Sequence, residues 1–290
     1  MSENVLNNTT NAVFIPTIIA QNCIQRLSSY LNVAKTVSKD SDWAVTSVGA
    51  TIQVPKTGAV SANDKTAGDN FTKQNPTGTY VDVTLDTHKE VTFTIDDVTK
   101  VLENQNTQMR YGEDGAIALA EAIESSLLAQ HASIENTVTW SRTDADAVDD
   151  SMLAARKFFT EQKVPLVEQK YMYVDSTVYN DLLNTDKFSR YDARGNGSAI
   201  TTGRNLVAYG FDIHESQLVP TSGSPVAYHN IAYTRNSMVL ATRQLPTPQG
   251  FGGTYARVND ASIGISLRTL FWYNGDLGAH QLTIDVLYGV

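Results

Sequence analysis

The sequence predicts an α+β fold, and three stretches predict it. From Ala50 to Ile95, alternating segments enclose a long polar run. From about Asp97 to about His131 the apolar period becomes that of a helix. From Ile263 to Val290 the alternation returns in two long stretches joined by Asn274-Gly275. An extended β-hairpin loop, a long helix and a closing antiparallel sheet suit a subunit that reaches over its neighbours better than they suit a catalytic pocket. Residues 136–245, in between, alternate strand and helix patterns and read as a mixed α/β unit.

Met1 to Asn11 is polar and predicts a mobile lead. Ile15, Ile19, Cys23, Leu27 and Leu31 are spaced four apart, with Pro16 in the first turn, and predict a short amphipathic helix. Two readings of it stay open: a small helix on flexible leads, or an ordinary first helix of the core. Cys23 lies on its apolar face and reads as packing. Lys39 to Asp42 reads as a loop.

Thr51-Ile-Gln-Val-Pro55 alternates like a strand. Thr57 to Gly78 carries Gly58, Gly68, Pro76 and Gly78 with Asn63, Asp64, Asp69 and Asn75, and lacks the apolar residues to bury itself. A loop of that length in a folded domain usually has a function of its own. Val81, Val83 and Leu85, then Val91, Phe93 and Ile95, alternate at period two. After Asp96-Asp97, apolar and small residues recur at three- and four-residue steps: Val98, Leu102, Gln105, Met109, Gly112, Ala116, Leu119, Ile123 and Leu127. A helix over 97–131 would span about 50 Å. Gly112 and Gly115 each cost about 1 kcal/mol against alanine inside a helix, which predicts a kink or short break at Tyr111–Gly115. Leu119, Ile123 and Leu127 are expected to pack against Ile265, Leu267 and Val286.

Further on, Asp149 or Asp150 is expected to cap a helix bearing Met152, Ala155 and Phe159, ending before Pro165. Lys170 to Val174 reads as a buried strand, and Asp175-Ser176 as the cap of a short helix through Val178, Leu182 and Leu183. Asp186 to Thr202 is a polar loop. Leu206 to Val219 is strand around Gly210, and Pro225 to Thr242 holds short strands with an irregular centre. At the end, Ile263, Ile265, Leu267, Thr269, Phe271 and Tyr273 alternate, Asn274-Gly275 supplies a hairpin turn, and Leu282, Ile284, Val286 and Tyr288 alternate on the return.

The 290 residues suffice for one large or two ordinary domains, and 41% hydrophobic with 18% charged content is that of a folded protein. The net charge of −9 argues against a sequence-unspecific nucleic-acid binder, which would show a basic stripe. It is compatible with an acidic wall around DNA. One cysteine excludes an intramolecular disulfide and a cysteine zinc cluster. The opening Met-Ser-Glu-Asn lacks a basic n-region, and no stretch reads as a membrane span, so cytosolic synthesis is expected.

Chemistry-bearing patterns are sparse. His88, His131, His214, His229 and His280 include no pair three or four apart. There is no glycine-x-serine-x-glycine elbow and no Walker-type phosphate loop. Gly250 to Gly253 reads as a loop. Asp144-Ala-Asp146-Ala-Val-Asp149-Asp150 lacks the central glycine and closing glutamate of a calcium loop, and its acids read as helix N-terminal charges, as do Asp96-Asp97. Trp140, Trp272 and the tyrosines read as core or interface. No catalytic, cofactor-binding or metal residue is expected.

The order of these pieces resembles that of the major capsid (coat) proteins of tailed bacteriophages with the Hong Kong 97-like fold, particularly coat proteins of short-tailed phages. Three stretches carry the resemblance: Thr51 to Pro55 with Val83 to Asp97 after the polar loop, the helix Ala116 to Leu128, and the closing Leu282 to Gly289. Leu206 to Glu215 also fits a strand-turn-strand of the family's axial domain. The resemblance implies an N-arm at 1–47, an extended loop at 48–95 overlapping an adjacent subunit, and the spine helix of a peripheral domain at 96–135. It further implies a mixed α/β axial domain at 136–245 and C-terminal strands at 246–290 that return to an antiparallel peripheral sheet. It implies a virion structural protein, assembled in the host cytoplasm into hexamers and pentamers of an icosahedral shell around double-stranded DNA. The axial segment leaves no room for a large inserted β-domain, and no long N-terminal helical extension is seen. A separate scaffolding protein, a portal and a cement or decoration protein are the implied partners. Loop lysines Lys56, Lys65 and Lys73 would contact the neighbouring subunit, although nothing in the sequence supports a covalent link through them. The competing readings are a tail-tube or other β-rich virion protein, against which the long helix argues, and a hydrolase with a lid at 57–78, against which the missing nucleophile and metal patterns argue.

Overall fold

The computed structural model describes residues 8–39, 51–56, 58, 60–96, 106–143, 145–185, 206–250, 252–260 and 263–290. Helices α1 (Asn8–Tyr30) and α2 (Val33–Thr36) lead into strands β1 (Ser38–Lys39), β2 (Thr51–Lys56), β3 (Thr79–Thr84) and β4 (Thr87–Asp96). Helix α3 (Asn106–Leu128) runs into a 3-10 turn at Ala129–Ser133 and is followed by α4 (Ala145–Glu161), β5 (Lys170–Val174) and α5 (Ser176–Asn184). Short strands follow: β6 (Leu206–Ala208), β7 (Phe211–Glu215), β8 (Thr221–Ser222), β9 (Ala227–Tyr228) and β10 (Ile231–Thr234). The chain closes with β11 (Val239–Arg243), β12 (Thr254–Asp260), β13 (Ile265–Asn274) and β14 (Ala279–Gly289). The segments read as a loop at 40–42 and at 186–202 lie outside the described residues, as do Asp97, Val98, Leu102, Gln105 and Asp144; Asp96 ends β4.

The alternating C-terminal segments become the centre of a six-stranded sheet. One edge of β14 pairs antiparallel with β4, from Ala279 opposite Asp96 to Tyr288 opposite Thr87. Its other edge takes β13 from Asp285 to Ala279, and beyond that β11, with Gly289 opposite Ala241. β12 extends the sheet from β13, and β1 adds to β11 in parallel. β11 falls within the 136–245 stretch that the sequence groups as one mixed unit, yet its hydrogen bonds place it in this sheet. The β13–β14 hairpin turns at Asn274-Gly275 as expected. Asn274 pairs with Ala279, so Gly275–Gly278 form a four-residue loop. The side chain of Asn274 accepts the Asp276 N–H at 3.0 Å, and the positive φ of +58° falls at Gly278.

One face of this sheet is buried under α3 and α1. Leu119, Ile123 and Leu127 of α3 share a core with Ile265, Leu267, Ile284 and Val286, as their spacing predicts, and with Ile19, Cys23, Leu27 and Leu31 of the α1 side. The first helix is therefore a core helix, not a free arm. Helix α3 is continuous through Tyr111–Gly115, so the predicted break is absent. The glycines are there for close approach. A Cβ at Gly112 would lie 3.2 Å from both Cys23 Sγ and Ile19 Cγ2, and one at Gly115 would lie 3.0 Å from Phe93 Cε2 and 3.4 Å from Val91 Cγ1. Contacts this short let α3 pack closely against α1 at Gly112 and against β4 at Gly115, where an added methyl group would push its neighbours aside.

The mixed unit is a four-stranded sheet in the order β10-β5-β7-β6, parallel only between β5 and β7. Helices α4 and α5 cover one face, where Met152, Met172, Val174, Leu182, Phe211 and Ile213 form a second core. Period two sends the other residues of the same strands the opposite way, so Tyr173, Ile231 and Tyr233 join the core of the large sheet. Asp175 caps α5 as predicted, accepting the Thr177 N–H at 3.0 Å. Asp149 is not a cap. Helix α4 begins at Ala145, and Asp149 lies buried inside it, accepting the Tyr209 hydroxyl at 2.5 Å. Asp150 is exposed one position further along the same helix.

Candidate functional site

The described part of the polar run, 58 and 60–78, is the distal part of a two-stranded ribbon. β2 and β3 pair from Thr51 opposite Thr84 to Lys56 opposite Thr79. Carried outward, that register places 58 opposite 77 and 61 opposite 74, and the limbs touch at those positions. The space for a Cβ on Gly58 is filled by Thr77 O at 2.6 Å. The Ser61 N–H donates to Gln74 Oε1 at 3.0 Å, while the Gln74 amide returns a hydrogen bond to Ser61 O. The chain reverses where the Asp69 N–H donates to Thr66 O at 3.2 Å, beside Gly68 at φ +94°. At about 3.3 Å per residue, a ribbon from 51 to its tip reaches on the order of 50 Å.

Its root is apolar and its length is not. Ile52 and Val83 form a small cluster with Ala241 of β11, flanked by Val54, Leu85 and Val239. Gly289 lies under the end of β3, where an added Cβ would meet Thr84 O and Leu85 Cα. Outward from that root, residues 60–80 are exposed throughout. Lys56, Lys65 and Lys73 are all exposed and strung along the ribbon, at the end of β2, beside the tip and on the returning limb; they are not brought together. The sequence reading missed Phe71. It is 82% exposed, and the Lys65 ammonium lies 5.5 Å from its ring centroid. A lone aromatic in an otherwise polar run was the available signal.

A cavity of about 610 Å³ opens between the 134–142 segment, α4, β5 and the β9–β10 connection. Trp140, Phe158, Phe159, Met172 and Val178 supply apolar wall, and Arg142 and Asp175 supply charge. Two of its lining residues each keep a polar atom that is buried from solvent and has no partner, Trp140 Nε1 and Asp175 Oδ1. Arg142 is held at 2.5 Å by Asp181, and that carboxylate keeps the guanidinium protonated above its ordinary range. His131, after α3, stacks on His229 with ring centroids 4.5 Å apart.

Several other titratable side chains among the described residues are engaged in structure. Asp285 is buried in β14 and accepts from Arg268 Nε at 3.0 Å, from Arg268 Nη2 at 2.5 Å and from His88 at 3.1 Å. His214 stacks on Tyr173, and His280 on Phe271. Burial, reinforced by Glu113, pushes the Cys23 thiol up to about 12, which removes it as a nucleophile near neutral pH. Burial likewise raises Tyr173 and Tyr233, whose hydroxyls bond to Thr36 of α2. Among the described residues no group of three or more His, Cys, Asp and Glu could hold a metal ion, and no helix is long and apolar enough to cross a membrane.

No family model and no curated protein matches the sequence. Solved structures do. A structure from Mycobacterium phage Che8 aligns over 91% of this chain and 85% of its own at 18% identity, with a TM-score of 0.60. The capsid structure of Cyanophage P-SCSP1u aligns over 87% and 82% at 14% identity, TM-score 0.60. The asymmetric unit of the bacteriophage PhiM1 mature capsid aligns over 89% and 82% at 14% identity, TM-score 0.60. The chain is thus an α+β protein with the Hong Kong 97-like fold of phage capsid structures.

Proposed function

We propose that this chain is the major capsid protein of a tailed bacteriophage, building hexamers and pentamers of an icosahedral shell around double-stranded DNA. The observation that carries the reading is the conjunction of that fold with a ribbon about 50 Å long that has no core of its own. Such an element is stable only when other surfaces cover it, and a shell of identical copies supplies them. Within this reading 1–47 stands in the N-arm position with its helix packed into the core, 48–95 is the extended loop, 96–135 the spine helix, 136–245 without β11 the axial domain, and β11 with 246–290 the peripheral sheet. Lys56, Lys65 and Lys73 then lie where the ribbon meets the adjacent copy. A scaffolding protein, a portal and a cement protein are the expected partners, and assembly takes place in the host cytoplasm.

The buried acids support a structural rather than an enzymatic role. Glu124 caps backbone, Asp149 holds Tyr209, and Asp285 pairs with Arg268. A net charge of −9 suits a container that encloses DNA without gripping it. Electron microscopy of concentrated purified protein tests the proposal. Closed shells or capsomers are expected. Tubes would transfer the protein to the tail-tube reading, and uniformly small particles with hydrolytic activity to the lidded-enzyme reading.

A further inference from the structure

The end of the β13–β14 hairpin holds reactive chemistry at Asn274-Gly275, one of two Asn-Gly pairs in the sequence. The other, Asn196-Gly197, lies outside the described residues. An asparagine amide is an acyl group one methylene away from the backbone, so the peptide nitrogen of the next residue can close a ring on it. Glycine at that next position leaves the nitrogen unshielded, because it has no Cβ. Gly275 is exposed, and a Cβ built on it would meet nothing within 4 Å. The Asn274 side chain is held in place rather than swinging in solvent. Its Oδ1 accepts the Asp276 N–H at 3.0 Å, which folds the side-chain amide back over the Gly275 peptide. The same N–H points at the oxygen on which charge develops if the ring closes.

We propose that Asn274 is a self-modification site, where the folded chain converts its own asparagine to aspartate and isoaspartate through a cyclic imide. The Gly275 nitrogen bonds to the Asn274 side-chain carbonyl carbon and gives up its proton to water. The carbonyl oxygen becomes an oxyanion held by the Asp276 N–H, a preorganised donor of the kind that stabilises acyl-transfer intermediates. The C–NH2 bond then breaks, and ammonia leaves after taking up a proton from water. One water opens the imide at either carbonyl. Opening at the side-chain carbonyl gives aspartate in an unchanged backbone. Opening at the main-chain carbonyl gives isoaspartate, whose backbone is one methylene longer. Water is the only co-reactant. The two products act differently on the fold. Aspartate keeps an acceptor for the Asp276 N–H. Isoaspartate lengthens the chain where Asn274 pairs with Ala279, so the closed end of the hairpin loses its register. Either product adds a negative charge two positions from Asp276. None of this depends on the shell reading.

The test ages the purified folded protein in mildly alkaline buffer beside a capped peptide of residues 272–277. Peptide mapping by mass follows the gain from amide to acid at position 274, and enzymatic methylation of isoaspartate counts the second product. Hydroxylamine traps the imide by cutting the chain between 274 and 275, which separates this site from Asn196-Gly197. The folded protein is expected to convert at least as fast as the peptide, because the turn presents carbonyl and donor together. No conversion at 274, or conversion slower than in the peptide, overturns the proposal. Asp276→Pro removes the N–H and should slow the folded protein at least about tenfold, with a smaller effect in the peptide. Asp276→Asn keeps the N–H and should leave the rate unchanged, which separates the donor from the carboxylate. Circular dichroism of both variants before ageing checks that the hairpin has formed. An unchanged rate in a folded Asp276→Pro variant would remove the turn from the chemistry and overturn the proposal as stated.

Discussion

Glu124 of α3 holds Val33 of α2: its Oε2 accepts the Val33 N–H at 3.0 Å across 91 positions of sequence. Oε1 takes the N–H groups of Asn32 at 2.9 Å and Ala34 at 3.1 Å. One buried carboxylate thus satisfies the amides that begin α2 and fixes the segment leaving α1 onto the long helix. Glu124→Ala would orphan three amides, at a cost of about 3 kcal/mol or more, read as a lower denaturation midpoint and lower soluble yield.

The same residue has a pH signature. Burial raises the Glu124 carboxyl above its ordinary 4.5, against the lowering effect of the Val33, Ala34 and Asn32 amides and of Lys35. The folded state therefore holds this proton more tightly than the unfolded chain. Its contribution to stability is fully present below about 4.5 and is lost as pH rises through the folded value. The stability margin of the native protein over Glu124→Gln should accordingly widen as pH falls from neutral towards 4.5. A margin that is flat or narrows on acidification would refute a burial-dominated carboxyl.

Gly115→Ala sets helix propensity against packing. In an exposed helix the change stabilises by about 1 kcal/mol. Here the new methyl group meets Phe93 at 3.0 Å and Val91 at 3.4 Å, and overpacking typically costs about 1–3 kcal/mol. Thermal unfolding should show a net loss of stability. A raised Tm would mean that helix and sheet sit further apart than described.

Arg268 and His88 both reach Asp285, whose side chain is 3% exposed, while that of His88 is 47% exposed. Arg268→Leu leaves a buried carboxylate without its bidentate partner, an error costing about 3–5 kcal/mol. His88→Gln should cost under about 1 kcal/mol. Parallel chemical denaturation of the two variants checks the ranking, and equal losses would contradict it.

Limited trypsinolysis tests the ribbon. Free subunits should be cut first at Lys65 and Lys73, which are exposed on limbs joined by few hydrogen bonds. Assembled particles should resist at both sites. Equal cleavage rates in the two states would argue that no neighbour covers the ribbon.

Periodicity alone determined the parts that obey it. The alternation of Ile265 and Leu267, and of Ile284 and Val286, and the stepping of Leu119, Ile123 and Leu127 each define one apolar face. Such faces have few ways to be buried except against each other. The Asp175 cap was equally legible, because a cap is a bond between near neighbours in sequence. What tertiary structure decided are contacts between residues far apart in sequence. Gly112 and Gly115 look like helix breakers until Cys23 and Phe93 are seen lying against them. Asp149 looks like a cap until Tyr209 reaches it from 60 positions away. The β11 strand carries no mark of its sheet, because either sheet would bury Leu240 and only pairing with β14 settles the choice. The cavity has no sequence signature for the same reason: Trp140, Phe159 and Asp175 meet only because α4 folds back over β5. Local pattern specifies which face of an element seeks burial, and long-range packing specifies what it meets there.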